Sequence, residues 1–202
     1  GVDGDAEPMP VQYEGRPIRY HRIAMHRTSA SPLANLRVIS ALRRILREVE
    51  PDLMHTVTIK PNLLGGMLAR RRRLPLLLTL PGLGTVFSNP SPRNRILRRG
   101  ILGLYRWIAR NPNARFVFEN EGDRDLFRQS GILEPDGGVL SPGSGVDVDR
   151  FRPTTERIAD EPLTVLFAAR LLGQKGLDNL VMAARALRAR NRAVRILVAG
   201  IQ

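Results

Sequence analysis

The sequence predicts an α/β protein built on a parallel β-sheet. Two short, mainly apolar runs, at 74–80 and 163–168, have the length and composition of buried parallel strands. Segments with helical periodicity alternate with such runs, and the most regular one, at 93–110, has apolar residues on one face and arginines on the other. This alternation predicts a sheet with helices on both faces and ligands bound beyond the carboxyl ends of the strands.

The N-terminal part of the chain is predicted to be a loop, a strand and a helix. Residues 1–17 are rich in Gly, Pro and acidic residues, which indicates a loop, and the weak alternation at 18–24 indicates an edge strand. Ser31 followed by Pro32 is typical of a helix start. Apolar residues then recur at helical spacing until Pro51, which ends the helix.

The rest of the chain continues the alternation up to a charged, proline-rich linker at 146–161. Before the linker the predicted elements are a strand at 52–57, a helix at 62–73, a strand at 74–80, a loop at 81–92, a helix at 93–110, a strand at 114–120, a helix at 121–130 and a strand at 137–141. After it they are a strand at 163–168, a helix at 176–190 and a strand at 194–199. We therefore expect one domain at 1–145 and the start of a second at 162–202.

The charge distribution indicates an anionic partner. The net charge is +13, and between Asp52 and Glu119 there are Lys60 and eleven arginines but no acidic residue. The chain has no cysteine, so a disulfide framework and a thiolate metal site are excluded. No run approaches the roughly 20 apolar residues that span a bilayer.

One segment carries a predicted phosphate site. The strand at 163–168 leads to Arg170 and Lys175, and the helix that begins near Gly176 directs its N–H groups to the same place. Two cations beside a helix N-terminus form a receptor for a diphosphate.

Two sets of motifs resemble those of family 4 glycosyltransferases. The sequence GVDVDRFRP at 145–153, followed by a strand, Arg170 and Lys175-Gly176, resembles the hinge and second-domain entry of that family. MHTVTIKPN at 54–62 and GLGTVFS at 82–88 resemble segments of the bacterial subgroup that extends sugars on undecaprenyl diphosphate.

The resemblance implies a GT-B enzyme with two Rossmann-like domains. Residues 1–145 would be the acceptor-side domain without its first strand, and 162–202 the start of the nucleotide-sugar-binding domain. The enzyme would move a sugar from a nucleotide sugar, with UDP as the nucleotide, to a lipid-diphosphate-linked sugar, with retention of configuration. It would need no metal or other cofactor. The family's paired glutamates would lie beyond Gln202, so we expect this chain alone to be inactive.

The resemblance also assigns roles to individual residues. Arg170 and Lys175 would stabilise the departing nucleoside diphosphate electrostatically. His55 and Lys60, beyond a strand end, would contact the sugar and the diphosphate of the acceptor, and Asn120 would help orient the acceptor hydroxyl. The plainer alternatives are solvated cations, a structural histidine at a strand end, and an acidic helix N-terminus around Asn120.

Three further positions bear on metal binding and on the family pattern. Asp147 and Asp149 match the Asp-x-Asp pattern with which other glycosyltransferases hold a divalent cation. In the resembled family this turn is structural, and we expect no metal here. Pro81 stands where many family members have a histidine, so we do not expect the usual role of that histidine.

The basic segments predict contact with a membrane. They are the Arg70–Arg73 run and one face of the 93–110 helix, which carries Arg95, Arg98, Arg99, Arg106 and Arg110. We expect electrostatic attachment to anionic headgroups, not deep insertion, at the cytoplasmic face of the cell membrane. The alternative is an ordinary packed helix with a solvated cationic face.

Two other functions stay open at this point. The net charge would suit a nucleic-acid-binding module, although aromatic content is low and no nucleic-acid motif is present. A nucleotide-sugar epimerase of the same architecture is the other alternative. We expect no specific nucleic-acid partner.

Overall fold

The computed structural model describes residues 12–13, 16–25, 31–143, 145–152, 162–169 and 175–200. The chain divides into two compact units, Gly1–Gly145 and Val146–Gln202. Of the predicted site residues, Arg170 lies outside the described residues.

The first described residues of this unit form two short antiparallel strands, β1 (Gln12–Tyr13) and β2 (Arg16–Pro17), so the loop predicted at 1–17 is wrong at these positions. The edge strand predicted at 18–24 is wrong, because residues 18–25 form no strand. Most side chains there are exposed, so the weak alternation does not reflect a buried face.

Helix α1 (Pro32–Val49) starts and ends where the sequence indicates. The Ser31 hydroxyl accepts a hydrogen bond from the Ala34 N–H at 3.5 Å. Glu50 closes the helix in the left-handed region, with φ 45°, directly before Pro51.

A four-stranded parallel sheet with the order β3-β4-β5-β6 forms the centre of this unit. Its strands are β3 (Met54–Val57), β4 (Leu76–Leu80), β5 (Ala114–Phe118) and β6 (Val139–Leu140). The helices that follow them are α2 (Ile59–Arg72), α3 (Gly84–Ser88), α4 (Pro92–Ala109) and α5 (Glu121–Gln129). The mixed α/β architecture with a parallel sheet is as predicted.

Helix α2 starts earlier than predicted, and the sequence did not predict helix α3. Helix α2 begins at Ile59 and not at 62, because Pro61 falls in the first turn, where a missing N–H does no harm. The predicted loop at 81–92 contains the short helix α3, and Arg98 Nε donates to the Val86 carbonyl there at 2.9 Å.

The core lies on one face of the sheet. The buried strand residues all point to that face: Thr56, Leu76, Leu78, Leu80, Phe116 and Phe118. Residues that alternate with them, such as Leu77 and Val117, are half-buried. The sequence predicted helices on both faces of the sheet. Within the described residues, only one face is buried under helices.

Helix α2 packs very closely on the sheet and on α4. A Cβ atom at Gly65 would lie 2.8 Å from Thr56 Cγ2, and one at Gly66 would lie 2.8 Å from Ile108 Cδ1. Helix α4 buries Ile101, Tyr105 and Ile108. Its predicted apolar face is thus confirmed in the second half of the helix, whereas Leu97, near the start, is exposed.

The second unit contains β7 (Leu163–Ala168), α6 (Leu177–Ala189) and β8 (Val194–Ala199). β7 and β8 pair in parallel along their whole length. Both strands have the predicted bounds. Among the described residues of this unit only Val194 is buried.

Candidate functional site

The carboxyl end of β3 turns directly into α2, and this junction carries His55 and Lys60. His55 is exposed on β3, and Lys60 is the second residue of α2 and half-buried. The carboxyl edge of a parallel sheet is the usual place for a ligand. The prediction that His55 lies beyond a strand end is wrong, because His55 is the second of the four residues of β3, whereas Lys60 does lie beyond the end of that strand.

Thr58, between them, has an unusual backbone conformation. Its φ of 72° and ψ of 162° belong to a region that is essentially restricted to glycine. Such a conformation in a β-branched residue costs about 1–3 kcal/mol and persists only where the surroundings enforce it. The Thr58 N–H donates to the Thr79 carbonyl at 3.1 Å, and the Thr58 carbonyl accepts from the Asn62 N–H at 3.0 Å.

Thr79 on β4 also contacts His55 directly. His55 Nε2 and Thr79 Oγ1 are 2.8 Å apart and form a hydrogen bond between side chains. The two residues lie on the same face of the sheet, since Val57 is the register partner of Thr79. The imidazole of His55 is therefore oriented by the neighbouring strand.

Asn62 links the start of α2 to β4 through its side chain. Its side chain is fully buried, and its Nδ2 donates to the Thr79 carbonyl at 3.1 Å. Burial raises the pKa of the Tyr105 hydroxyl far above its ordinary value, and the Asn62 side chain partly offsets that rise. Within the described part of the chain, Tyr105 Oη and Asn62 Oδ1 have no hydrogen-bond partner of ordinary geometry.

The N-terminus of α2 is suited to an anion. Its first turn contains no acidic residue, and no side chain caps it. Side chains of Ser31, Ser91 and Asn120 cap α1, α4 and α5 instead. The positive end of the α2 dipole and the Lys60 ammonium therefore lie together at this N-terminus, and both favour an anion.

Asn120 follows β5 and has a visible structural role. Its Oδ1 accepts from the Asp123 N–H at 2.8 Å, and its Nδ2 donates to Asp123 Oδ2 at 2.9 Å. Both ends of the amide therefore serve the cap of α5, which is the plainer alternative considered for this segment. Its acceptor-side role stays a prediction.

In the second unit, Lys175 is exposed directly before α6. Gly176 is the N-cap residue, with φ 81°, and no side chain caps this helix either. The described part of the predicted diphosphate site is thus a lysine at an uncapped helix N-terminus. The backbone of Ala169 continues the sheet, since its N–H donates to the Ala199 carbonyl at 3.1 Å.

The Asp147 and Asp149 carboxylates both serve the turn that carries them. Asp147 Oδ1 accepts from the N–H groups of Asp149 and Arg150, at 3.0 and 3.1 Å. Asp149 Oδ1 pairs with Arg152 Nη2 at 3.0 Å, and both side chains are exposed. Among the residues that the structure describes, no group of three or more His, Asp or Glu side chains could hold a metal ion.

Comparison with known proteins decides the family. The model of the glycosyl transferase 4-like domain matches residues 2–143. The chain belongs to this family of glycosyltransferases. It is also 25% identical, over 187 residues, to the N,N'-diacetylbacillosaminyl-diphospho-undecaprenol alpha-1,3-N-acetylgalactosaminyltransferase of Campylobacter jejuni. That match covers 86% of this chain and 48% of the relative, so the chain spans about half the length of that glycosyltransferase.

The arginines of this glycosyltransferase domain divide into two groups. Arg98 donates to the carbonyls of Val86 and Asn89, at 2.9 and 3.0 Å, and its guanidinium lies 5.7 Å from the Phe87 ring centre. Arg106 donates to the Ser130 carbonyl. Arg95 and Arg99 are exposed on the same helix. Only part of the predicted basic face is therefore available to a partner.

Arg70 belongs to the structural group as well. It donates to the Trp107 carbonyl, and its guanidinium lies 4.4 Å from the Trp107 ring centre. The next three residues of the run, Arg71, Arg72 and Arg73, are exposed. Over the described ranges, no helix has the length and apolar character to cross a membrane.

Sequence reasoning missed Thr79 and Asn62, which support the junction. Thr79 is the one hydroxyl residue in the apolar run at 74–80. Because a hydroxyl in a buried strand needs a hydrogen-bond partner, this residue could have been predicted to bond to a neighbouring element. Asn62 belongs to the MHTVTIKPN motif, but the motif gives no indication that its side chain is buried against β4.

Proposed function

We propose that this chain is part of a retaining glycosyltransferase that moves a sugar from a UDP-sugar to a lipid-diphosphate-linked sugar. The reaction would take place at the inner face of a bacterial membrane, in the synthesis of a surface polysaccharide such as lipopolysaccharide. Two findings support this: the family, and the relative whose name states a diphospho-undecaprenol-linked acceptor.

The observation that carries the acceptor side is the β3–α2 junction. An uncapped helix N-terminus and a lysine in its first turn both attract an anion, because the helix dipole and the ammonium place positive charge at the same end of α2. A bound phosphate would accept charge-assisted hydrogen bonds from main-chain N–H groups of the first turn and from the ammonium. Lys60 and the start of α2 would therefore bind the acceptor diphosphate, and the exposed His55 would contact the sugar.

The donor side is assigned to the second unit. Lys175, at the uncapped start of α6, and Arg170 would bind the nucleotide diphosphate. As the acceptor hydroxyl oxygen bonds to the anomeric carbon, the bond from that carbon to the β-phosphate oxygen breaks. The acceptor hydroxyl passes its proton to an oxygen of the leaving β-phosphate, and the two cations stabilise the negative charge that develops on the diphosphate.

The test is acceptor kinetics in the full-length enzyme, with purified undecaprenyl-diphosphate saccharide and radiolabelled UDP-sugar. Lys60→Ala should raise the acceptor KM by about tenfold to a hundredfold, as expected for the loss of a hydrogen bond to a charged group, and leave the donor KM nearly unchanged. Arg47→Ala is the charge-matched control, since Arg47 is exposed in the last turn of α1. Unchanged acceptor kinetics in Lys60→Ala would show that the junction is not the acceptor site.

The membrane contact would use the exposed group of arginines. Arg95 and Arg99 lie on either side of Ile96 and Leu97, whose side chains are 72% and 44% exposed. Each cation near an anionic surface contributes about 1 kcal/mol. The start of α4, together with Arg71–Arg73, would thus attach the enzyme to the leaflet that holds its acceptor.

A further inference from the structure

Thr79 contacts both parts of the β3–α2 junction. Its hydroxyl is 2.8 Å from His55 Nε2, and its carbonyl accepts from the Thr58 N–H and from Asn62 Nδ2, each at 3.1 Å. One residue of β4 is therefore bonded to the candidate sugar-binding side chain and to the turn that presents Lys60.

We propose that Thr79 is a positioning residue that occupies Nε2 of His55, so that His55 presents Nδ1 to the acceptor sugar. This inference rests on the proposed acceptor site. An imidazole has two distinct nitrogens, and the hydrogen bond made by one sets the orientation and protonation of the other. With Nε2 directed to Thr79, Nδ1 is the nitrogen left for a ligand.

The position of the Thr79 hydroxyl is itself well defined. Threonine is β-branched, so its χ1 angle has few low-energy values. The main chain of Thr79 pairs with Val57 on one side and with Val117 on the other. Its carbonyl is further fixed by Asn62, which is fully buried. The Thr79 hydroxyl therefore gives the exposed His55 side chain a hydrogen-bond partner in a fixed position.

Two substitutions of His55 distinguish the nitrogens. An asparagine places its terminal amide near the position of Nδ1, whereas a glutamine places it near that of Nε2. In the full-length enzyme, His55→Asn should keep at least about tenfold more kcat/KM for the acceptor than His55→Gln, which corresponds to one retained hydrogen bond. His55→Gln performing better than His55→Asn would overturn the inference.

Substitutions of Thr79 test the positioning itself. Thr79→Val should lower kcat with the acceptor by about tenfold, and Thr79→Ser, which keeps the hydroxyl, should restore most of it. In ring ¹⁵N NMR spectra, Thr79→Val should shift Nε2 of His55, and addition of acceptor should shift Nδ1. Thr56→Val is the matched control, because Thr56 lies on the opposite face of β3 and donates to the Leu77 carbonyl; it should leave both nitrogen signals in place.

The outcomes separate this inference from the proposed function. If His55→Ala has normal acceptor kinetics, the acceptor site is wrong and the inference is wrong with it. If His55→Ala is impaired but acceptor shifts Nε2, or Thr79→Val leaves Nε2 unchanged, the acceptor site stands and the role of Thr79 is wrong.

Discussion

The two strand-to-helix junctions that carry a candidate lysine are built in different ways. Between β3 and α2, the residue before the helix is Thr58, with φ 72°, and it is bonded to the Thr79 carbonyl. Between β7 and α6, the residue before the helix is Gly176, with φ 81°. A Cβ atom there would find its nearest described neighbour 3.9 Å away, at Asn179 Nδ2.

The difference indicates that the two junctions would bind an anion in different ways. A threonine in a glycine-like conformation stores strain, which the bonds to Thr79 and Asn62 must balance, so this junction has its shape before a ligand arrives. Gly176 adopts its positive φ with little strain and lets a phosphate approach the backbone closely. We therefore expect the first junction to act as a rigid acceptor site and the second to adjust to its ligand.

The largest expected effect is at the second junction. Lys175→Ala in the full-length enzyme should lower the transfer rate by about two to three orders of magnitude, as for the loss of one preorganised charge contact in the transition state. Arg170→Ala should act similarly. Arg188→Ala, in the last turn of α6, removes the same charge at the far end of the helix and should leave the rate nearly unchanged.

The effect of a chelator tests whether these two cations act without a metal ion. EDTA should leave transfer intact, because two fixed cations neutralise the diphosphate. If EDTA abolishes turnover and manganese restores it, a metal takes over that role, and Asp147 and Asp149 become the first ligand candidates.

The second prediction compares the exposed arginines of α4 with those that bond to main-chain carbonyls. Replacing Arg95 and Arg99 with glutamine should weaken sedimentation with anionic vesicles by about 2 kcal/mol, or about thirtyfold. Replacing Arg98 and Arg106 should mainly lower stability, because these two bond to main-chain carbonyls. Binding should fall steeply with salt, since exposed charges are screened beyond about 10 Å at 0.1 M. Salt-independent binding would show that Ile96 and Leu97 insert.

The sequence predicts the elements well where periodicity is strong and the contacts are local. The bounds of β7 and β8 and the start of α1 are as predicted, because apolar runs and the Ser31-Pro32 pair are local signals. The site is predicted only in part. His55 and Lys60 lie in a motif, but the bond of His55 to Thr79 joins residues 24 positions apart, and no pattern along the chain encodes it.

The third prediction tests the backbone of the second junction. Gly176→Ala forces a Cβ atom into a left-handed conformation and should lower the free energy of unfolding by about 1–2 kcal/mol. Gly122→Ala, within α5, is the control, because its added Cβ would meet only ordinary contact at 3.5 Å with Asn120 Oδ1. Urea unfolding of the full-length enzyme measures both. Equal effects of the two substitutions would mean that Gly176 has no special backbone requirement.

The smallest effect is expected at Thr58, and it separates strain from function. Thr58→Gly relieves about 1–3 kcal/mol of backbone strain but adds about 0.5–1 kcal/mol of unfolded-state entropy, so the free energy of unfolding should rise by about 0–2.5 kcal/mol, with a midpoint of about 1 kcal/mol. Thr58→Ala retains a Cβ atom and should show no such gain. If the threonine holds Lys60 in place, Thr58→Gly should nevertheless raise the acceptor KM severalfold, because the turn gains freedom that binding must remove. A Thr58→Gly enzyme that is clearly less stable than wild type would show that the threonine side chain stabilises the turn and that the junction is not strained.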